Sequence, residues 1–335
     1  MGKSVLLLLA SILGVVGFET TAADTPSLDQ LAADLGLPSD AGARIRSGEI
    51  VKSDPRESSD REIAVGLAFL VQRRPAEVLE AFREAIDLKA DPQLSASVPI
   101  RGPGALGDFD SLALEPDGAV EAKRYITAGP GDTLNLSSRE IQEFTALAAS
   151  ADPKSGVEAQ LKQLLLHRYQ AYLANGLAGI PSYARAGGAW EPSGDLRRAS
   201  EAAQVLQRYA PALQRLLLSY PRGKPMGLEE SFFWLRYDLD GRPNYTLRHR
   251  LAIPMGDGFA VADREFYVSH GYNASQEIAG LVPVSEGTVI FYRSRVSTDQ
   301  VAGFGSSMKR NLGRSVMARQ LTEIFERSRR SLPPD

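Results

Sequence analysis

The C-terminal third of the chain alternates between apolar and polar residues. After Pro221 the apolar period changes from the helical value of about 3.6 residues to the strand value of 2. Four runs have this pattern and are predicted to be strands: residues 230–240, 245–253, 263–272 and 287–298. Turn residues, Asp-Gly-Arg-Pro-Asn and Gly-Asp-Gly, follow the first and second runs. The pattern therefore predicts an antiparallel meander.

A long amphipathic helix is predicted after the meander, from about Ser306 to Ser331. Its apolar residues recur at helical spacing: Met308, Leu312, Val316, Leu321, Ile324 and Phe325. We expect this apolar side to cover one face of the sheet. Residues 222–335 are thus predicted to form one unit, a meander with a C-terminal helix.

The middle of the chain, residues 151–221, is predicted to be a helical hairpin. The first helix should end at Gly176, a typical C-terminal cap. The second should be kinked at Pro211, because proline cannot donate a backbone hydrogen bond.

Residues 24–150 are predicted to form a mixed α/β region. Residues 61–71 favour a strand, although a buried helix fits as well, and a helix should begin at Pro75. Ser137 and Glu140 have the spacing of a capping box. Residues 90–135 are rich in Gly, Pro and Asp and predict long connections with one short strand at 110–115. The fold class is α+β, with helical N-terminal and middle regions before the C-terminal sheet.

Side chains alternate between the two faces of a strand, so each predicted strand can be divided by parity. The apolar face, expected under the C-terminal helix, would carry two histidines and three tyrosines: Tyr237, Tyr245, His249, His270 and Tyr292. The opposite face would align five arginines: Arg236, Arg248, Arg250, Arg293 and Arg295. Such arginines either bind an anion or form a solvated face paired with Asp238 and Glu265.

A sheet that turns around a long C-terminal helix resembles the helix-grip arrangement of START-like lipid-binding domains. The resemblance covers residues 229–331 and rests on the order of the elements. It implies a cavity between sheet and helix for a sterol, lipid or other apolar ligand. That fold needs more than four strands, so residues 50–115 would have to supply the others. Otherwise the chain would have a helical N-terminal region and a separate small α+β unit.

The leading hypothesis is therefore a protein that binds a hydrophobic or amphiphilic ligand and carries lipid between membranes. The predicted pocket residues are Trp234, Tyr237, His249, His270, Tyr292 and Arg293. His270 is interpreted as a hydrogen-bonded pocket wall rather than a general base. His249 and His270 lack an obvious third metal ligand, so the sequence predicts no metal site and no cofactor.

Residues 1–23 have the features of a secretory signal peptide. Lys3 precedes an aliphatic run from Val5 to Val16, and small residues follow near Ala23. The chain has no cysteine, which excludes a lipidated N-terminal cysteine and disulfides. We expect a periplasmic or secreted protein, which makes nucleic acid an unlikely partner.

Charge is divided unevenly along the chain. Residues 24–150 carry 22 acidic and 13 basic side chains, a net charge of −9, whereas residues 151–335 carry 18 and 24, a net charge of +6. The halves either attract each other or present surfaces for different partners. The basic C-terminal helix can lie on an anionic lipid surface, with a solvated outer face as the alternative.

Two other functions remain open. Ser306 and Lys309 match the S-x-x-K spacing of some serine hydrolases, in which the lysine activates the serine one helical turn away. An exported hydrolase using Ser306 with Lys309 or His270 is the first alternative. An envelope interaction protein without a small ligand is the second.

Overall fold

In the residues that the structure describes, the strands form an eight-stranded antiparallel sheet and a two-stranded ribbon. This computed structural model describes residues 27–84, 90–131, 133–303 and 305–331; the predicted signal peptide lies outside them. The strands are β1 (Val51–Ser53), β2 (Glu62–Val71), β3 (Leu94–Ile100), β4 (Tyr183–Arg185), β5 (Gly188–Trp190), β6 (Glu229–Leu239), β7 (Arg242–Met255), β8 (Gly258–Val268), β9 (Ala274–Val284) and β10 (Gly287–Ser297). β4 and β5 form the ribbon.

The large sheet joins segments that are distant in the sequence. Its order is β1-β2-β10-β9-β8-β7-β6-β3, so the meander β6 to β10 lies between N-terminal strands. β2 pairs with β10 on one side and β3 pairs with β6 on the other. The additional strands therefore come from residues 51–100, within the predicted stretch. The alternative of a separate small C-terminal unit was wrong.

The helices of the described residues are mostly short, apart from two. They are α1 (Leu28–Asp34), α2 (Ala41–Arg46), α3 (Pro75–Arg83), α4 (Gly118–Ile126), α5 (Ser138–Thr145), α6 (Pro153–Asn175), α7 (Pro192–Glu201), α8 (Gln204–Tyr209), α9 (Pro211–Ser219) and α10 (Ser306–Ser331). The bounds of α10 agree with the prediction. The second predicted helix of the middle region is divided into α7, α8 and α9, and Pro211 begins α9 instead of kinking a continuous helix.

Local sequence signals explain several helix ends. Ser137 Oγ accepts from the Glu140 amide, and Glu140 accepts from the Ser137 amide at 2.7 Å, which confirms the capping box. α6 ends at Gly176, where φ is +57° and a Cβ would lie 1.9 Å from the Tyr220 carbonyl oxygen. Only glycine fits there, because it lacks a Cβ and tolerates positive φ.

Helices cover both faces of the large sheet. On one face, α10 packs against β2, whose apolar side chains include Leu67 and Phe69, and α3 packs against β8, β9 and β10. On the other face, α6 to α9 and the N-terminal helices pack over the larger core. Tyr172 of α6, for example, stacks on Phe266 of β8 with ring centroids 4.0 Å apart. The sheet is thus the middle layer, with α10 alone on part of one face.

Five strands were not predicted, and one predicted strand does not form. The strands that were not recognised are β1, β3, β4, β5 and β9, and because of β9 the meander has five strands rather than four. Residues 110–115 form turn and irregular structure instead of a strand.

The predicted grouping of the sheet faces was wrong between strands. Trp234 lies opposite Leu247, and Phe232 lies opposite His249, so His249 shares a face with Trp234 under the middle helices. Tyr237 instead shares the α10 face with Arg248, which donates to its hydroxyl at 2.9 Å. The five arginines are therefore divided, with Arg248 and Arg250 on the α10 face and the other three opposite. The reason is register, which parity within a strand does not determine.

Many charges of the acidic N-terminal region and the basic later region form ion pairs with each other. Acidic residues of the N-terminal region contact basic residues of the later region, as in Glu62–Arg295 at 2.7 Å and Glu140–Arg168 at 2.6 Å. Glu57 likewise pairs with both Arg310 and Arg314 of α10. The attraction between the halves is thus visible as specific ion pairs.

Candidate functional site

A cavity of about 730 Å³ lies between α10 and the sheet. The sheet side presents mainly polar and aromatic groups, Tyr237, Arg248, Glu265, Ser275, Glu277, Tyr292 and Ser294, together with Ile63, Leu239 and Val296. The helix side presents the aliphatic and sulfur-containing groups Leu312, Val316, Met317, Leu321 and Ile324, together with Lys309, Gln320, Glu323 and Arg327. The two walls therefore differ in chemistry, with a more apolar helix wall facing a more polar floor.

Aromatic and close backbone packing hold α10 at the cavity. Phe325 is buried, with its ring centroid 5.2 Å from Phe69 and 4.7 Å from Tyr292. In the first half of α10, a Cβ on Gly313 would lie 2.6 Å from Ile63 Cδ1. The absence of a side chain at Gly313 therefore permits α10 to approach β2 closely. The space between these two contacts remains open along Val316 and Leu321.

Ion pairs on adjacent strands organise the polar floor. Arg248 donates to Glu265 at 2.6 Å, and Arg250 donates to both oxygens of Asp263 at 2.8 and 2.6 Å. Burial alone would raise the pKa of Asp263, but the Arg250 guanidinium lowers it below its usual value. Glu265 also accepts from the hydroxyls of Tyr272 and Ser275 at 2.6 and 2.7 Å. Asp263 and Glu265 are therefore paired within the protein, whereas Arg248 Nε has no hydrogen-bond partner among the described residues.

Glu277 is the carboxyl group of this floor that has no ion-pair partner among the described residues. Its side chain is buried, with 9% of the residue exposed, and its Oε1 accepts from Ser294 at 3.2 Å. Its Oε2 has no hydrogen-bond partner among the described residues. Burial, and then the negative charge of Glu265, raise the pKa of Glu277 to about 8. At neutral pH this carboxyl group is mostly protonated and can donate a hydrogen bond to a bound molecule.

Two of the predicted pocket residues, Tyr237 and Tyr292, line this cavity. Tyr237 is the hydrogen-bond acceptor for Arg248, and burial raises its pKa well above the usual value. Tyr292 packs edge-on against Phe325 of α10. The structure thus brings these two tyrosines together with the carboxyl and guanidinium groups of the floor.

Trp234 and His249 lie on the opposite face, inside the larger core. Trp234 donates its indole N–H to the Asp108 carbonyl at 2.8 Å and packs near Phe109. His249 is fully buried and stacks on Phe232 with ring centroids 4.2 Å apart. Neither residue lines the cavity under α10.

The surroundings of His249 keep it neutral. Its Nδ1 lies 3.0 Å from the Tyr172 hydroxyl, and its Nε2 lies 3.1 Å from Glu230 Oε1. Burial lowers the pKa of His249 to about 4, despite the nearby carboxylate. Burial would raise the pKa of Glu230, but the nearby His249 and a hydrogen bond from Lys224 lower it to about 2. In this position His249 links α6 to β6 and β7 within the core.

His270 and Arg293 each lie at a different pocket. His270 lines a pocket of about 170 Å³ after β8, where its Nε2 lies 3.1 Å from the Pro243 carbonyl. Burial, followed by the charge of Arg242, lowers the pKa of His270 to about 4. Arg293 lines a third pocket, on the sheet face away from α10. The six predicted residues are therefore spread over three pockets and the core.

The S-x-x-K residues lie at the start of α10. Lys309 is exposed, and its Nζ lies 3.4 Å from the Ala302 carbonyl oxygen, at the rim of the cavity. His270, the other candidate base for Ser306, is held by the Pro243 carbonyl. The described contacts of both candidate bases are with backbone carbonyls.

Sequence reasoning missed the two glutamates of the floor as site residues. Glu265 was assigned only as a partner for arginines, and Glu277 belongs to the unrecognised strand β9. A signal for Glu277 exists, because it is a single carboxylate within the otherwise neutral run Ala274–Val284. A lone carboxylate in a buried strand indicates a site or an ion pair.

The described residues contain no helix with the length and apolar character needed to cross a bilayer. In the same part of the chain, no three His, Asp or Glu side chains are grouped for metal binding. Comparison with protein-family models, with curated proteins and with solved structures found no match.

Proposed function

We propose that this protein binds a hydrophobic or amphiphilic ligand in the cavity between α10 and the sheet. The observation that carries the proposal is the asymmetry of the cavity, in which a more apolar helix wall lies above a more polar floor. Its volume of about 730 Å³ lies within the usual range for small-molecule pockets. An apolar tail would contact α10, and a polar end would lie near the sheet.

Glu277 supports an amphiphilic rather than a purely apolar ligand. A buried oxygen without a partner costs free energy unless a bound molecule or water satisfies it. The protonated carboxyl can donate to a hydroxyl or carbonyl oxygen of the ligand, while the ion pairs of Arg248 and Arg250 remain intact. This arrangement favours a neutral polar head group next to Glu277.

The same arrangement is consistent with the START-like resemblance, in which the ligand lies between a sheet and a C-terminal helix. Together with the signal-peptide pattern of residues 1–23, it supports the carriage of lipid in the periplasm or another envelope compartment. In this proposal the protein shields the apolar part of its cargo from water during transfer between membranes.

The surface of α10 supports peripheral membrane contact during loading. Met308 and Leu312 are 79% and 67% exposed, and Leu312 also lines the cavity. Lys309 and Arg319 are exposed on the same helix. The other basic residues of α10 are mostly engaged: Arg310 and Arg314 pair with Glu57, and Arg327 and Arg329 donate to backbone carbonyls. Contact with the membrane would therefore depend on the exposed side chains of Met308 and Leu312, with Lys309 between them in the sequence.

Native mass spectrometry of protein purified from an envelope fraction tests the proposal. We expect a stoichiometric lipid-like adduct, which solvent extraction then identifies. The variant Val316→Trp, which places an indole in the cavity, should lack the adduct. Ser315→Trp is the matched control, because Ser315 is exposed on the adjacent position of α10.

Uptake of a fluorescent fatty alcohol provides the second readout. The wild type and Ser315→Trp should bind this probe, whereas Val316→Trp should bind it at least tenfold more weakly. A folded wild type that carries no adduct and does not bind the alcohol would refute the proposal. Equal binding by both tryptophan variants would place the ligand outside this cavity.

A further inference from the structure

A second pocket, of about 700 Å³, lies on the sheet face opposite α10. It is bounded by the end of α1, by residues 53–58 after β1, and by α8. Its floor contains Arg293 and Arg295 of β10, and Arg56 and Arg208 also line it. It shares no lining residue with the cavity under α10. It is therefore a separate site, independent of the proposed lipid cavity.

Arg293 has an unusual environment in this pocket. It is half-buried, and its Nη2 donates to the Leu35 carbonyl at 2.5 Å. Among the described residues, no carboxylate pairs with it. Burial, and then the positive charge of Arg295, lower the pKa of Arg293. A partly desolvated guanidinium beside another arginine is costly unless an anion joins it.

Two neighbouring arginines of the pocket, Arg295 and Arg208, are paired with carboxylates. Arg295 donates to Glu62 at 2.7 Å, and Arg208 donates to Asp34 at 2.5 Å. On the α10 face, Arg250 donates hydrogen bonds to both carboxylate oxygens of Asp263. Arg293 thus differs from these residues in donating to a carbonyl rather than to a carboxylate, and it lines an open pocket.

We propose that this pocket binds a small organic molecule through a singly charged oxyanion, such as a carboxylate, which pairs with Arg293. The guanidinium presents parallel N–H groups that match two oxygens of a carboxylate. The lining carries four arginines and three acidic residues, Asp34, Asp54 and Glu57, so one negative charge balances it. Val205, Pro55 and the ring of Tyr209 can contact an apolar body of the ligand.

Benzoate is a suitable probe, because it has one carboxylate on a flat apolar ring, and benzamide is its neutral analogue. In thermal unfolding of the full chain, benzoate should raise the Tm of the wild type in a saturable manner, and benzamide should not. The rise should disappear in Arg293→Met and persist in Arg236→Met, which removes another arginine from the same sheet face. Equal effects of benzoate on both variants, or equal effects of benzoate and benzamide, would overturn the proposal.

Stability provides an independent readout. Arg293→Met removes a cation without a carboxylate partner, so the ligand-free Tm should equal or exceed that of the wild type. Arg295→Met leaves Glu62 without its guanidinium, so its Tm should be several degrees lower. A large loss of Tm in Arg293→Met would indicate a structural role for Arg293 and would contradict the inference.

A measurement on the unmodified protein covers the case in which a variant does not fold. In nitrogen-15 spectra of the wild type, the Arg293 Nε resonance should shift saturably with added benzoate, more than that of Arg236. A wild type without a saturable shift at Arg293 would overturn the proposal. Because the probe and pocket differ from those of the lipid cavity, this outcome would not affect the ligand proposed there.

Discussion

Glu265 and Glu277 face the same cavity from adjacent strands, but their environments are opposite. Glu265 accepts hydrogen bonds from Arg248, Tyr272 and Ser275. Glu277 Oε2 has no partner among the described residues, and the charge of Glu265 adds to the effect of burial in raising the Glu277 pKa. One carboxylate is thus part of the scaffold, and the other is available to a ligand.

Glu277→Gln is expected to flatten the dependence of stability on pH. The Glu277 pKa is about 8 in the folded protein and 4.5 ordinarily, so the folded state loses relative stability as pH rises between these values. Glutamine stays neutral, and the variant should gain roughly 3 kcal/mol at neutral pH, because about 2.5 pH units separate the ordinary pKa from neutral pH and each corresponds to about 1.4 kcal/mol. Urea unfolding at acidic and mildly alkaline pH measures this difference.

The comparison requires that the other ionisable groups around the cavity titrate in the same way in the wild type and in the variant. They are Asp91, Arg248, Asp263 and Glu265 from the sheet side, and Lys309, Glu323 and Arg327 from α10. Glu286→Gln is the control, because Glu286 is exposed and its pKa is lowered, first by the hydrogen bond from Ser285 and then by Arg46, so that no part of the loss of stability between pH 4.5 and 8 comes from Glu286. If Glu277→Gln and the wild type showed parallel profiles, the protonated state of Glu277 would be refuted.

Phe325→Ala should destabilise the protein by roughly 3 kcal/mol, the usual cost of truncating a buried phenylalanine. The ring of Phe325 connects α10 to both Phe69 and Tyr292, so its removal leaves a void at the end of the cavity. Val120→Ala is the control, because Val120 is 55% exposed and should change the free energy of unfolding by less than about 0.5 kcal/mol. Chemical unfolding distinguishes the two; similar values would mean that α10 does not depend on this contact.

The sequence predicted the local elements better than their assembly. The bounds of α10, the Gly176 cap and the capping box at Ser137 all depend on neighbours in the chain, and all are present. β9 was missed because Ala274, Gly280 and Pro283 weaken its strand signal. β3 was missed because it is an edge strand with partly exposed residues and a proline at position 99.

The site was less predictable, because it depends on register. Parity within β6 correctly separates Tyr237 from Trp234, but it does not tell which of them shares a face with His249. The pairing of β6 with β7 places Trp234 on the same face as His249. A bulge at Phe266 then shifts the register of β8 relative to β7. A shift of one residue exchanges all the side chains of a strand between faces. Long-range pairing decides this, and the alternating pattern of one strand carries no information about it.

His249 should make the protein less stable in acid. Its pKa is lowered from 6.5 to about 4 by burial, so the stability present above the ordinary value is lost as pH falls through this range. The groups around it are Tyr172, Lys224, Glu230 and Arg264. His249→Gln should reduce the slope of stability against pH between these values. His167→Gln, a change at an exposed position of α6, should leave it unchanged. Equal slopes in both variants would refute the role of His249.

Ser306→Ala distinguishes ligand binding from hydrolysis. Ser306 begins α10, and Lys309 lies near the Ala302 carbonyl oxygen, so removing the Ser306 hydroxyl should leave binding of a fluorescent fatty alcohol unchanged. The wild type and the variant should also show the same low background with chromogenic esters. Ester turnover that is abolished in Ser306→Ala, with folding intact by circular dichroism, would instead favour the hydrolase.

The exposed apolar pair on α10 should control the rate of ligand transfer between membranes. Met308 and Leu312 project from the helix that covers the cavity, so insertion into a lipid surface would bring the cavity close to the bilayer. In Met308→Ser/Leu312→Ser, transfer of a fluorescent lipid between vesicles containing anionic phospholipid should slow by about tenfold, because burial of two large side chains is lost. Met226→Ser is the control, because Met226 is 97% exposed but lies between α9 and β6. Unchanged transfer in the α10 variant would mean that loading does not require this surface.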